Sequence, residues 1–208
     1  MNLSRLFRFA ALGALAACNG ETSIEIAETG ERPTVPAFFN CVRENDGLVI
    51  AAHRAGPAPG FPENAIETME NALSQGVYTF EIDVSTSRDG VLFLLHDRTL
   101  GRTTNISGRV ADTDWDDIRD ARLVDNDGAT TAFTPPSLAQ TLDWAVANNA
   151  LLELDRKAPT THDEIIEAVK RAGAQRHVVV ITYTDAQARN VAELAPDLMM
   201  SASPDEDG

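Results

Sequence analysis

YTFEIDVSTSRDGVLFLLHD, residues 78–97, holds two apolar runs joined by a short polar link, and the second run ends in His96-Asp97. The first run, Tyr78 to Val84, carries Glu81 and Asp83 two apart, so both carboxylates share one face of a strand. The link from Ser85 to Gly90 is too short to hold a crossover helix between parallel strands. Six extended residues nevertheless reach about 20 Å. A helix-free crossover turning at Asp89-Gly90 is therefore the expectation, because it places Asp83 and His96 at the same end of the sheet. A plain antiparallel hairpin is the competing reading, and it would separate them by a strand length.

Outward from this stretch, short apolar runs alternate with helical segments. Leu48 to Ala52 reads as a buried strand ending at His53-Arg54. Asn64 can cap a helix through Ser74, with Ala65, Met69, Ala72 and Leu73 on its apolar face and Gly76 as its stop. Ser137 with Gln140, Thr161 with Glu164, and Thr184 with Gln187 each fit the capping box, which satisfies the free amides of a first helical turn. Strands are expected at Val91 to Leu95, Ala150 to Asp155, Val178 to Tyr183 and Leu198 to Ala202. Apolar strands separated by amphipathic helices predict an α/β fold, a parallel sheet covered by helices.

The 208 residues are 43% hydrophobic, enough for one domain with a real core. A formal net charge of -15 argues against nucleic acid as a partner, since the phosphates would be repelled. The start, MNLSRLFRFAALGALAAC, places Arg5 and Arg8 before an apolar stretch from Phe9 to Ala17 and reads as an export signal. That stretch is far shorter than the roughly 20 residues of a spanning helix. Leu15-Ala16-Ala17 before Cys18 resembles a bacterial lipobox, which implies cleavage before Cys18 and lipid attachment to its sulfur; an ordinary signal-peptidase tail is the alternative. Residues 1–17 are thus the expected signal peptide, 18–45 a tether and 46–208 the domain. The expected location is exported and membrane-anchored, periplasmic or cell-surface.

The strand ends supply His53-Arg54, Glu81 with Asp83, His96-Asp97, and Asp155 with Lys157. Polar groups at the carboxyl ends of parallel strands are where a β/α barrel builds its site. Cleaving a phosphodiester needs neutralised non-bridging oxygens, a base for the attacking hydroxyl and an acid for the leaving alkoxide. Carboxylates holding a hard divalent cation, with Arg54 and Lys157 as auxiliary cations, meet the first need. His53 and His96 suit the other two, their ordinary pKa lying near neutrality. His162 and His177 lack such company and read as surface residues. Trp115 and Trp144 read as helix packing, and Arg102-Thr103-Thr104 as a turn bracing the His96 loop.

Together, His53-Arg54, Pro62-Glu63-Asn64, Glu81-Ile82-Asp83, Asp89-Gly90, His96-Asp97-x-x-Leu100 and Arg102-Thr103-Thr104 resemble the glycerophosphodiester phosphodiesterase family. The likeness runs from about Leu48 to Ser201. It implies a TIM-type β/α barrel of the phosphatidylinositol phospholipase C-like superfamily and one bound Ca²⁺ or Mg²⁺. The implied reaction is hydrolysis of a small-molecule glycerophosphodiester to glycerol 3-phosphate and an alcohol, in glycerophospholipid catabolism. It further implies His53 and His96 as the acid/base pair, Arg54 as a phosphate contact and Glu81 and Asp83 as metal ligands. The family's later acidic ligand stands two residues before a lysine, which points to Asp155 rather than Glu153. Glu63 either approaches the metal or fixes its loop, and Asn64 reads as the helix cap.

Ala55 stands where the family has glycine after His-Arg, and Gly56 could take over any positive φ. Only six strands are counted where an eight-stranded barrel of about 250 residues is typical, so the barrel reads as incomplete. The rival functions are a phospholipase D- or C-like lipid cleaver on the same fold, or a non-catalytic lipoprotein binding module.

Overall fold

A computed structural model describes residues 33–202. The expected signal peptide, residues 1–17, and the expected lipidation site Cys18 lie outside the described residues. Residues 33–50 belong to one compact unit and those from Ala51 onward to another. In the first, Val35–Glu44 forms helix α1, capped by Thr34 with Pro36 in its first turn. A proline there costs nothing, because that amide has no helical partner. The same residues read as an unstructured tether from their composition.

The second unit runs β1 (Ala51–Ala52), α2 (Ile66–Ser74), β2 (Thr79–Thr86), β3 (Leu92–Leu94), α3 (Trp115–Arg119), α4 (Leu138–Ala147), β4 (Leu151–Arg156), α5 (His162–Ala172), β5 (Val178–Thr182), α6 (Asp185–Leu194) and β6 (Met199–Ala202). Strands β1, β2, β4, β5 and β6 pair in that order and all in parallel. With helices between them they form an arc of a TIM-type β/α barrel. Strand β1 is shorter than expected: only Ala51 and Ala52 pair, while Leu48 and Ile50 are exposed.

The strands are not apolar on both faces. On β2, Phe80, Ile82 and Val84 pack into the main core with Leu152, Leu154, Val178 and Val180 and with Met69, Leu142, Ile165, Val169 and Val191 of the helices. The alternate positions, Thr79, Glu81, Asp83 and Ser85, turn to the other face. Trp144 packs edge to face on Phe80, with centroids 5.7 Å apart, as helix packing requires.

The link from β2 to β3 is the hairpin, not the crossover. Val84, Ser85 and Thr86 pair antiparallel with Leu94, Phe93 and Leu92. The expected separation of Asp83 from His96 does not follow, for a simple reason of length. Strand β2 runs only three residues past Asp83 and the return is equally short, so the Leu95 N–H reaches the Asp83 carbonyl at 3.0 Å. Phe93 and Leu95 then seed a second core with Leu100, Val110 and Ile118, against which Trp115 packs. That core anchors the loop following His96.

Helix starts follow the capping rule closely. Ser137 and Thr161 make full capping boxes, whereas Gln187 turns to the Tyr183 N–H instead of the Thr184 N–H. His162 and His177 are buried, not exposed. Their rings lie against the Ile181 carbonyl at 3.2 Å and the Ala150 carbonyl at 2.9 Å, so each serves to tie a helix start or turn to a neighbouring strand.

Candidate active site

Register creates the acidic centre. Asp83 of β2 is the parallel partner of Asp155 of β4, so the two carboxylates project side by side from one face, with Glu81 two residues earlier on that face. Each of the three offers an oxygen, and these oxygens lie within 4.8 Å of one another. Glu153, the register partner of Glu81, is not in that group.

Three close carboxylates would repel unless cations sit among them. Lys157 Nζ bridges Asp83 Oδ1 at 2.9 Å and Asp155 Oδ2 at 2.6 Å. Burial alone would lower the lysine pKa, but its bonds to Asp155 and Asp83 outweigh that and raise it. Glu81 is pushed up, first by burial and then by repulsion from Asp83, against the opposing bond from the Arg54 N–H. The cluster therefore has a surplus of negative charge held in a half-buried place.

Asn64 proves to be part of this centre and not a helix cap. The helix N-cap is Ala65, and Asn64 adopts φ 58°, a left-handed conformation that asparagine tolerates. Its Nδ2 donates to Asp83 Oδ2 at 2.7 Å and its Oδ1 accepts from the Asp83 N–H at 2.9 Å. This two-point clamp fixes the buried carboxylate. Asn64→Ala is expected to destabilise the fold by about 1.5–3 kcal/mol, the worth of hydrogen bonding to a charged group, as read from urea unfolding.

The His53-Arg54 loop is strained in a way that aims its groups. Arg54, Ala55 and Gly56 all take positive φ, of 50°, 71° and 82°. Gly56 thus does not relieve Ala55, and the alanine itself carries a cost of order 1 kcal/mol. In return the Arg54 N–H donates to Glu81 Oε2 at 2.8 Å, and the Arg54 carbonyl accepts from the Asn64 N–H at 3.0 Å. His53 Nε2 lies 3.8 Å from Glu81 Oε2, with its side chain 75% exposed and so accessible to a ligand.

Arg54 Nη1 contacts Glu63 at 3.3 Å and its Nε lies 3.8 Å from Asp83, yet that buried Nε has no hydrogen-bond partner. Glu63 also takes both terminal nitrogens of Arg102 at 2.8 Å. It fixes two loops and stands outside the acidic group. Burial would raise the Glu63 carboxyl, but the bonds and charges of Arg102 and Arg54 outweigh burial and hold it below the usual range. The loop before Glu63 is tied in turn by Asp125, which accepts from the Gly60 N–H at 2.9 Å.

Arg102 continues the chain of contacts to the second histidine. Its Nε donates to Asp97 Oδ2 at 2.6 Å, and Asp97 Oδ1 lies 2.7 Å from His96 Nδ1. With Nδ1 bound to Asp97, the ring turns Nε2 toward whatever it must exchange a proton with. The Arg102 bond first, with help from His96 and against partial burial, holds Asp97 at about 2. A depressed folded pKa stabilises above the ordinary carboxylate range and loses that contribution as pH falls through the folded value. Asp97→Asn is therefore expected to flatten the loss of stability from about pH 4 down to about 2. Acid titration followed by circular dichroism reads it.

Tyr183 stands directly after β5, at a position where the sequence predicts only the end of a strand. Its hydroxyl donates to Asp155 Oδ2 at 2.8 Å. Burial, then the Asp155 bond, pushes the phenol up to about 12, so at neutral pH it remains a donor. Asp155 Oδ1 is buried with no hydrogen-bond partner. An all-oxygen donor set with one orphaned buried oxygen suits a hard divalent cation such as Ca²⁺ or Mg²⁺.

The chain matches the model of the glycerophosphoryl diester phosphodiesterase family over residues 53–201. It is 32% identical over 155 residues to the uncharacterized protein YqiK of Bacillus subtilis, covering 72% of this chain and 63% of that protein. A glycerophosphodiester phosphodiesterase of Caldanaerobacter subterraneus is 28% identical over 156 residues, covering 72% and 64%. Among solved structures, a glycerophosphoryl diester phosphodiesterase from Parabacteroides distasonis superposes with a TM-score of 0.68 at 36% identity, covering 74% of this chain and 53% of that one. The chain thus spans less than two thirds of the length of these relatives. The matched segment contains both histidines, all three clustered carboxylates, Arg54 and Lys157. By that match, the chain belongs to the glycerophosphoryl diester phosphodiesterase family.

Proposed function

We propose that this protein hydrolyses glycerophosphodiesters to glycerol 3-phosphate and an alcohol, using one divalent ion, Ca²⁺ or Mg²⁺, held by Glu81, Asp83 and Asp155. The observation that carries the reading is the convergence of oxygens of these carboxylates to within 4.8 Å of one another, with His53 Nε2 3.8 Å from Glu81. When bound, such an ion polarises a phosphoryl oxygen and stabilises the charge that builds up in the transition state. The residues of the chain do the rest. Arg54, whose side chain is 23% exposed, and Lys157, 22% exposed, supply positive charge for the anionic diester. One histidine takes the proton of the nucleophile and the other returns a proton to the leaving alcohol. With water as nucleophile this gives glycerol 3-phosphate directly; with the neighbouring glycerol hydroxyl it gives a cyclic phosphate that a water then opens, the histidine roles exchanging.

Product analysis tests the substrate class. With glycerophosphocholine, glycerol 3-phosphate and choline are expected. Cleavage of intact lysophospholipid in preference to the deacylated diester would instead establish the lipid-cleaving rival. Absence of turnover on both would leave the binding-module reading.

We also infer from the sequence that the protein is exported and anchored to the membrane by lipid on Cys18. Metabolic labelling with a fatty acid tests this: the label is expected on the wild type and not on a Cys18→Ser variant.

A further inference from the structure

We propose that Tyr183 is a positioning residue which, together with Lys157, commits Asp155 to bind the ion through a single oxygen, Oδ1. The inference rests on the metal-dependent reading above and adds the device that orients one of its ligands.

Asp155 Oδ2 receives two donors, Lys157 Nζ at 2.6 Å and the Tyr183 hydroxyl at 2.8 Å. Its other oxygen is buried and receives none. A carboxylate whose oxygens were equally solvated could rotate about its last torsion and present either one. Two donors on one oxygen remove that freedom and use up its accessible lone pairs, which leaves the buried, unbonded Oδ1 as the oxygen available to an ion. Lys157 cannot fix the carboxylate alone, because it is shared with Asp83 Oδ1 at 2.9 Å. Among the described residues, Tyr183 makes its side-chain bond to Asp155 alone.

The tyrosine is held from behind. Its backbone N–H donates to Gln187 Oε1 at 2.8 Å, and Thr184 next to it caps α6. Tyr183 as a residue is 54% exposed, and the side-chain contact that orients it is the hydroxyl bond to Asp155.

Tyr183→Phe removes one hydroxyl and keeps the ring. Calorimetric titration of the metal-free proteins with Ca²⁺ and with Mg²⁺ is expected to show about tenfold weaker binding by the variant, the usual cost of losing a bond that orients a ligand. Thermal melting of the metal-free variant confirms that it is folded. The concentration of ion needed for half-maximal turnover should rise in parallel, with kcat at saturating ion restored to within about twofold of wild type. Equal ion affinity in the two proteins would overturn the role of Tyr183 while leaving the metal site standing. So would a kcat deficit that saturating ion does not repair. A wild-type protein that takes up neither ion would overturn the metal reading and this inference with it.

Discussion

Alanine at His96 is expected to lower kcat for glycerophosphocholine by about 10²–10⁴-fold, the range for loss of a positioned acid or base, with the fold intact. The expectation comes from how the ring is held. Asp97 sits 2.7 Å from Nδ1 and is itself fixed by Arg102, whose remaining donors engage the buried Glu63. Because Asp97 is held near 2, it is ionised at neutral pH and favours the tautomer with its proton on Nδ1. Nε2 is then the nitrogen that exchanges protons. His53→Ala should cause a loss in the same range, for His53 stands beside Glu81 with its side chain largely open. Leaving-group chemistry separates the two roles. On a p-nitrophenyl diester, whose leaving group needs no proton, the variant lacking the general acid should lose far less than the variant lacking the base. Undiminished turnover in either variant would remove that histidine from the mechanism.

The second large effect is at Asp83. Asp83→Asn keeps the shape of a fully buried side chain but removes one of the three clustered charges. The balance of charge decides the outcome. Three carboxylates against Lys157, with Arg54 shared between Asp83 and Glu63, leave a surplus of negative charge in a low-dielectric place, which a divalent cation satisfies. With asparagine that surplus falls by one charge, and the incoming ion also loses one ligand. Ion affinity is expected to fall by at least about a hundredfold, the upper end of what disturbing a ligand's support alone costs. Turnover should fall with it. Calorimetric titration and initial rates at increasing Mg²⁺ or Ca²⁺ measure both. The variant keeps the Asn64 Oδ1 bond to its own N–H and the Lys157–Asp155 bond at 2.6 Å but sets its amide nitrogen against the Asn64 or Lys157 donor, so thermal melting of the ion-free variant accompanies the titration.

What the sequence reveals follows from how local each feature is. Glu81 and Asp83 share a face because strands alternate, and the pair is legible from spacing alone. Asp155 joins them because β4 pairs with β2 in the register that sets Asp83 beside Asp155, and its choice over Glu153 rests on the family resemblance, which implies an acidic ligand two residues before a lysine. The capping boxes at Ser137 and Thr161 are equally local. Features set by tertiary contacts were not legible in the same way. The β2–β3 connection is the hairpin that Asp89-Gly90 is able to signal locally; what the sequence does not show is that so short a return keeps Leu95 on the Asp83 carbonyl.

Asn64 fits a helix cap equally well by sequence; only its left-handed φ and the reach to Asp83 reveal the clamp. A buried histidine such as His177 resembles a surface one until a carbonyl from another strand is placed against it. Tyr183 carried a usable signal. It lies at the carboxyl end of a strand neighbouring β4, the same placement that singled out the other site residues, and it bears a hydroxyl.

The sharpest check is glycerol 3-phosphate release from glycerophosphocholine by protein stripped with EDTA and then titrated with Ca²⁺ or Mg²⁺. Stripped protein should form no product, and turnover should return in proportion to bound ion, saturating at one ion per chain. Turnover that survives stripping, or no product from any glycerophosphodiester at any ion concentration, would contradict a metal-dependent diester hydrolase built on Glu81, Asp83 and Asp155.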